Sequence, residues 1–307
     1  MTEQVELSYF AAHPVICHME ATRLQGVVAY ETIKNRGMRG LKQYGLYFGG
    51  MLAYGIREPA RAALIRSAYA WFRDGDDKVD GDKLLPPGYK DKGEFLQIKR
   101  ELIHKASKPD GQPVFGERTD ILLIDYFVLA RRLKIDLTEE SLAVWDTIEL
   151  DEERARNRRV LTQEELDGYF EKLDLACGEG ALKVAGETCD SHDSLSLSWP
   201  VRTMFNLRDF PRDFAQGIIN VSQEDLVVYG IDLSRLEGRK TVEQVMGYAP
   251  MRRWYRDQTV TGITFLQEAK ERLKVLHLRR PTRFALNRFF VGPTEKTLNK
   301  YAKMLAN

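Results

Sequence analysis

The stretch EPARAALIRSAYAWFRDGDDKVDGD, Glu58–Asp82, decides how this chain folds. Its first two-thirds place Ala, Leu, Ile and aromatic residues at helical spacing, with Pro59 where a first helical turn tolerates it. Its end is acidic, with Asp74, Asp76, Asp77, Asp80 and Asp82 crowded together. Asp76 and Asp80 are four apart, so on a helix their carboxylates share one face, about 5–6 Å apart at Cβ. Like charges at that spacing repel, and negative charge at a helix C-terminus is unfavourable as well. A cation in the gap removes both penalties. Mg²⁺ suits it, because it takes hard oxygen ligands and commonly also binds substrate phosphates. A solvated acidic helix end is the plain alternative.

Outward from this stretch, helical periodicity continues over Glu94–Lys105, Asp120–Leu133, Glu139–Arg158, Thr162–Gly186 and Ser194–Phe210. Val242–Tyr255, Gly262–His277 and Thr294–Leu305 complete the set. Thr162 with Glu165 forms a capping box, and Thr138 followed by two glutamates suits a helix start. Pro and Gly collect in LLPPGYKDKG (84–93) and SKPDGQPVFGE (107–117), breaks too short for domain linkers. Strand signals and internal repeats are lacking, so 1–307 reads as a single all-α domain.

Of 307 residues, 43% are hydrophobic and 30% charged, enough apolar surface for a core and too much for intrinsic disorder. The 46 basic and 45 acidic side chains leave a net charge of +1, which gives no footprint for nucleic acid. Cys17, Cys177 and Cys189 cannot build a disulfide framework. With no signal peptide and no apolar run of about 18 residues, the expectation is a cytoplasmic protein with no transmembrane segment. The run Arg154–Arg159 reads as a solvated helix end. The basic stretch Arg272 to Arg283 reads as a solvated helix that leaves open weak peripheral contact with a membrane.

A second segment, Asn206-Leu207-Arg208-Asp209-Phe210-Pro211-Arg212-Asp213-Phe214, again sets two carboxylates four apart, here interleaved with arginines. Acids for cations beside guanidinium groups for phosphate oxygens suit a site that holds metal and phosphate together. Pro211 is expected to interrupt the helix near Phe210 and to move Asp213 off the face of Asp209.

Arg57…Arg61…Tyr69-Ala70-Trp71-Phe72-Arg73-Asp74-Gly75-Asp76-Asp77-Lys78-Val79-Asp80 resembles the first aspartate-rich motif of the squalene/phytoene synthase family. Arg208 to Asp213, followed by Ser222-Gln223-Glu224-Asp225-Leu226, resembles its second. Trp145–Asp151 and Leu161–Tyr169 are similar to two segments between them, so the resemblance runs over 45–230 in order. It implies an all-α isoprenoid synthase bundle around a central apolar cavity. Asp76, Asp77 and Asp80 would hold Mg²⁺ opposite Asp209 and Asp213, with Arg73, Arg208, Arg202 and Arg212 on a prenyl diphosphate. Tyr69, Trp71, Phe72 and Phe205 would line the cavity.

Several family positions are changed. The early S-x-S-F element falls near Gly45-Leu46-Tyr47-Phe48, without its serines. Arg202 and Phe205 stand at the Gln and Asn of Q-L-x-N, and G-R-x-Y reads Gly217-Ile218-Ile219-Asn220. Asp174 replaces the alanine of A-G-x-V-G. These losses concern a second diphosphate, so the resemblance points to transfer of the prenyl group to a hydrophobic, aromatic or heteroaromatic acceptor. Asp174 is the candidate base, since burial raises a carboxyl's pKa, and Tyr169 is the second candidate catalytic residue, with an aromatic face for the allylic cation. Head-to-head coupling, single-substrate cyclisation and a family-derived assembly factor without activity are the alternatives.

Overall fold

The computed structural model describes residues 13–111, 116–188 and 190–306, with the side chains of 35–53 outside that description. Helices succeed one another as α1 (Pro14–Gly55), α2 (Pro59–Val79), α3 (Lys92–Ser107), α4 (Asp120–Arg132), α5 (Thr138–Asn157) and α6 (Gln163–Ala185). They continue as α7 (Ser191–Ala215), α8 (Gln223–Tyr229), α9 (Val242–Met246), α10 (Ala249–Val275), α11 (Arg280–Ala285) and α12 (Gly292–Ala306). Among the described residues no β-strand forms, and an isolated parallel bridge joins Val160 to Ile219. No helix among them is long and apolar enough to cross a membrane.

The chain packs as two compact units. The first comprises the chain through Ile148 with Lys183–Glu187, and the second Glu149–Leu182 with Thr188–Asn307. In the first, α4 is buried almost all round, as its sequence DILLIDYFVLA requires of a helix without a polar face. Helices α1 and α2 pack on it and on each other. Trp71 and Trp145 meet with ring centroids 4.9 Å apart, and Trp145 donates its indole N–H to the Leu96 carbonyl at 3.0 Å. Gly75 makes that packing possible, since a Cβ there would stand 2.9 Å from the Trp145 ring.

In the second unit α7 packs along α10, and α10 on α12. Phe210, Trp254, Tyr255 and Tyr301 form the aromatic centre of this core. Local signals set the helix starts. Thr162 Oγ1 accepts from the Glu165 N–H at 3.2 Å while the Glu165 carboxylate accepts from the Thr162 N–H at 3.0 Å, the reciprocal capping box. Asp190 caps α7 through the Asp193 N–H, and Gly230 closes α8 with φ +67°.

Three expectations need correction. Helix α7 does not stop near Phe210 but runs through Pro200 and Pro211 to Ala215. Pro211 offers no N–H to the Leu207 carbonyl, and the Tyr255 hydroxyl donates to that oxygen at 2.9 Å instead. Val242–Tyr255 divides at Gly247-Tyr248, and its second part fuses with the following periodic segment into α10. Arg154 is fully buried rather than solvated. Helix α1 has a weak local signal, because Gly26, Gly37, Gly40, Gly45, Gly49 and Gly50 depress its helical propensity.

Candidate functional site

The first acidic end closes α2. The Asp80 N–H donates to the Asp76 carbonyl at 2.8 Å, so the backbone stays helical through Asp80 and both carboxylates keep one face. Arg73, one turn earlier, pairs with Asp76 at 2.5 Å and with Asp77, and stands 3.9 Å from Asp82. Asp76 keeps about a third of its side chain exposed (32%), whereas the Asp77 side chain is almost wholly covered (2%). Of the three proposed ligands in this stretch, Asp77 is therefore the one tied inward.

Behind these acids lies a buried ionic network. Lys78 pairs with Asp74 and Glu117, Lys83 reaches Asp74 at 2.8 Å, and Lys99 joins Glu117 at 2.8 Å and Asp120. Asp120 also accepts the Gly116 and Glu117 N–H groups at 2.9 and 3.1 Å. Burial pushes the Asp74 carboxyl up, but Lys78 and Lys83 outweigh it and hold the group below the usual carboxylate value. For Lys99 burial favours the neutral amine, yet Asp120 and Glu117 prevail and raise its pKa. Trp71 belongs to the core, Phe72 meets it edge-on at 5.1 Å, and Tyr69 is half-buried.

The second acidic end lies on α7. Because the helix continues past Pro211, Asp209 and Asp213 stand one turn apart on a common face. Arg208 pairs with Asp209, its Nε donating at 2.8 Å, and its guanidinium lies 4.5 Å from the Phe205 ring centroid. Arg212 and Asp213 are half-buried. Phe210, beneath, is wedged among Phe214, Trp254 and Tyr255.

Two further polar sets occupy the second unit. Asp174, 5% exposed, accepts from Arg202 Nε at 2.8 Å, and the Arg202 guanidinium lies 4.5 Å over Phe170. Burial pushes the Asp174 carboxyl up to about 6, and Arg202 only partly opposes it. Lys183, in the first unit, pairs with Glu140. Nearby in sequence, Tyr169 donates to Asp151 at 2.8 Å and lies over Arg154, with the guanidinium 5.0 Å from its ring centroid. Burial, then the Asp151 charge, raises the Tyr169 pKa well above that of a free phenol. Arg154 donates to Asp151 at 3.1 Å, to the Ile219 carbonyl at 2.7 Å and to Asn220 Oδ1 at 2.9 Å. Asn220, at the family's Tyr position, thus helps hold a buried arginine.

Sequence reasoning missed Arg154 and Phe170 as parts of these sets. The acidic neighbours of Arg154 imitate a solvated helix end, and the stacking of Phe170 on Arg202 joins residues far apart in the chain. Asp151 lay within a quoted family segment, and that was its available signal. The side chains of Gly45-Leu46-Tyr47-Phe48 lie outside the described residues.

Metal chemistry can be tested against the donor set. Among the described residues no three His, Cys, Asp or Glu side chains cluster as a ready-made metal site. Each acidic end instead offers one or two partly exposed carboxylates. That fits Mg²⁺, which usually takes one or two protein carboxylates and completes its shell with water and substrate phosphate.

No protein-family model matches the sequence, and no curated protein matches it. Among solved structures, the fold matches squalene synthase HpnC from Alicyclobacillus acidocaldarius with a TM-score of 0.68. The two are 16% identical, and the match covers 94% of this chain and 97% of that one. This chain therefore shares the all-α fold of that structure.

Proposed function

We propose that the chain is a Mg²⁺-dependent prenyltransferase that ionises an allylic prenyl diphosphate and passes the prenyl group to an uncharged, aromatic or heteroaromatic acceptor. One observation carries this reading: each of two helices presents an aspartate pair four residues apart, with an arginine already paired to it. Bound Mg²⁺ would neutralise charge developing on the departing diphosphate. Asp76 and Asp80 are the residues that would hold such an ion at the end of α2, and Asp209 and Asp213 those that would do so on α7. Arg73 and Arg208 then exchange carboxylate partners for phosphate oxygens, which suit a guanidinium fork. Asp77 keeps Arg73 oriented. Tyr69, Phe72 and Phe205 offer aromatic faces to an allylic cation.

Features of the second unit support an uncharged acceptor. A second diphosphate carries several charges that need partners once it is taken from water. Ile218 and Phe205 offer none, and Arg202 is engaged by Asp174 and Phe170. A neutral ring makes no such demand. With its carboxyl pushed up to about 6, Asp174 is suited to remove the ring proton near neutral pH. Head-to-head coupling is the second reading, favoured by the squalene synthase fold over nearly the whole chain.

The deciding experiment incubates the protein with Mg²⁺ and individual C5 to C20 allylic diphosphates, with and without aromatic acceptors, and reads products by mass spectrometry. The expected product is a prenylated acceptor with one diphosphate released per molecule. A C30 or C40 hydrocarbon without acceptor establishes head-to-head coupling, and a cyclic terpene from one diphosphate establishes cyclisation. Absence of Mg²⁺-dependent binding of a non-hydrolysable prenyl diphosphate analogue leaves only the assembly-factor reading.

A further inference from the structure

Helix α7 keeps one face partly open. Arg202, Phe205, Asn206, Asp209 and Asp213 follow one another along it at helical spacing, and all five are half-buried. Met204, Leu207, Phe210 and Phe214 fill the opposite, buried side. Towards one end of the open face, Arg202 donates to Asp174 of α6 at 2.8 Å and lies over Phe170. Towards the other, Asp209 pairs with Arg208. Asn206 stands between them, four residues past Arg202 and three before Asp209. Among the described residues its side-chain amide has no hydrogen-bond partner. An amide half-withdrawn from water has given up bonds to solvent, so a ligand that restores one is favoured there.

From Arg202 to Asp209 the helix rises about 10 Å, enough for one aromatic ring system. On the transfer reading above, on which this inference rests, the acceptor ring lies within that interval. The C–O bond of the substrate breaks with its electron pair on the diphosphate. The ring supplies the pair for the new C–C bond, and the ring proton passes to the Asp174 carboxylate. We propose that Asn206 is a specificity-determining residue for the acceptor, its Oδ1 accepting a hydrogen bond from an O–H or N–H group carried on the ring. The acceptor class narrows to phenols and N–H heterocycles. Such a bond also shifts electron density into the ring, the direction that attack on a cation requires. Metal ligation is the competing use of the amide. Mg²⁺ commonly takes one or two protein carboxylates, and Asp209 and Asp213 already offer two, so a neutral amide adds little there.

Equilibrium dialysis of the whole protein with Mg²⁺ and non-hydrolysable geranyl thiolodiphosphate tests this without turnover. The probes are 1-naphthol and 1-methoxynaphthalene, of which only the first has a hydrogen-bond donor. Wild type should bind 1-naphthol about tenfold more tightly, the worth of one hydrogen bond. Asn206→Leu and Asn206→Ala should each erase that preference while Mg²⁺-dependent binding of the thiolodiphosphate persists. Equal or undetectable binding of the two probes by wild type overturns the proposal, as does a preference that both variants keep. Loss of thiolodiphosphate binding in both variants assigns the amide to the metal end and equally overturns it. Prenylation is read separately by mass spectrometry. If neither probe is prenylated yet the Asn206-dependent preference holds, the transfer reading fails and the donor site stands. Prenylation of both probes at equal kcat/KM, untouched by Asn206→Leu, overturns the donor site and leaves the transfer reading in place.

Discussion

The two acidic helix ends carry the same pattern, a pair of aspartates four apart beside an arginine, yet the protein supports them by opposite means. At the end of α2 the support is electrostatic. Asp74, Glu117 and Asp120 interleave with Lys78, Lys83 and Lys99, most of them buried. At the end of α7 it is apolar: Phe210 is locked among three aromatic rings, and the backbone gap at Pro211 is closed by one tyrosine hydroxyl. Charge spacing therefore says what an acidic end offers to a ligand, and not what holds it in place. A buried ionic network orients through strong, costly interactions, whereas an aromatic core orients through shape.

Replacing the presented acids should produce the largest effect and should act alike at both ends. Asp76→Asn, Asp80→Asn, Asp209→Asn and Asp213→Asn are each expected to lower prenyl transfer by several orders of magnitude while the thermal midpoint holds or rises slightly. Steady-state rates at saturating Mg²⁺ check this. Near-wild-type rates for both α2 variants would remove the metal role from that helix.

The supports, by contrast, should respond differently. Lys99→Met leaves Asp120 buried without its ammonium partner and should cost about 3–5 kcal/mol in a denaturant titration. Beneath Asp209 the packing is aromatic instead, with Phe210 held by Phe214, Trp254 and Tyr255, so the same loss is not expected there.

The Asp174–Arg202 pair sharpens the contrast, because its carboxyl is shifted in the opposite direction from Asp74. Asp74 has a lowered pKa, so its contribution to stability is present above the unfolded value and is lost as pH falls through the folded one. Asp174 is raised to about 6, so its contribution is full below the unfolded value and is lost as pH rises through about 6. Asp174→Asn should therefore remove about 2–3 kcal/mol of pH dependence between about pH 4 and 6. If the carboxylate is the base, kcat/KM in the wild type should also climb to a plateau above about pH 6, and the variant should lack that limb. A pH–rate limb retained by Asp174→Asn assigns the base elsewhere.

Tyr255→Phe should have the smallest effect. It leaves the ring packing intact but strands the Leu207 carbonyl, at an expected cost of about 1–2 kcal/mol. Amide exchange in α7 should quicken from Leu207 onward, and no such change should appear in α2.

The sequence by itself determined the helical class, the capping box at Thr162 and Glu165, and the angular placement of the Asp76–Asp80 pair. Those depend on residues within one or two turns, where spacing fixes geometry. Tertiary structure alone decided which acids are presented and which are tied down, because Asp76 and Asp77 are adjacent in the chain yet differ greatly in exposure. It also decided that Arg154 lies in the core, held by the Ile219 carbonyl and Asn220. The passage of α7 through Pro211 depended on Tyr255 from another helix. In each case the outcome rests on a partner far away in sequence. A buried charge or an orphaned carbonyl is stable only where folding brings that partner within hydrogen-bond reach, and local spacing carries no record of it.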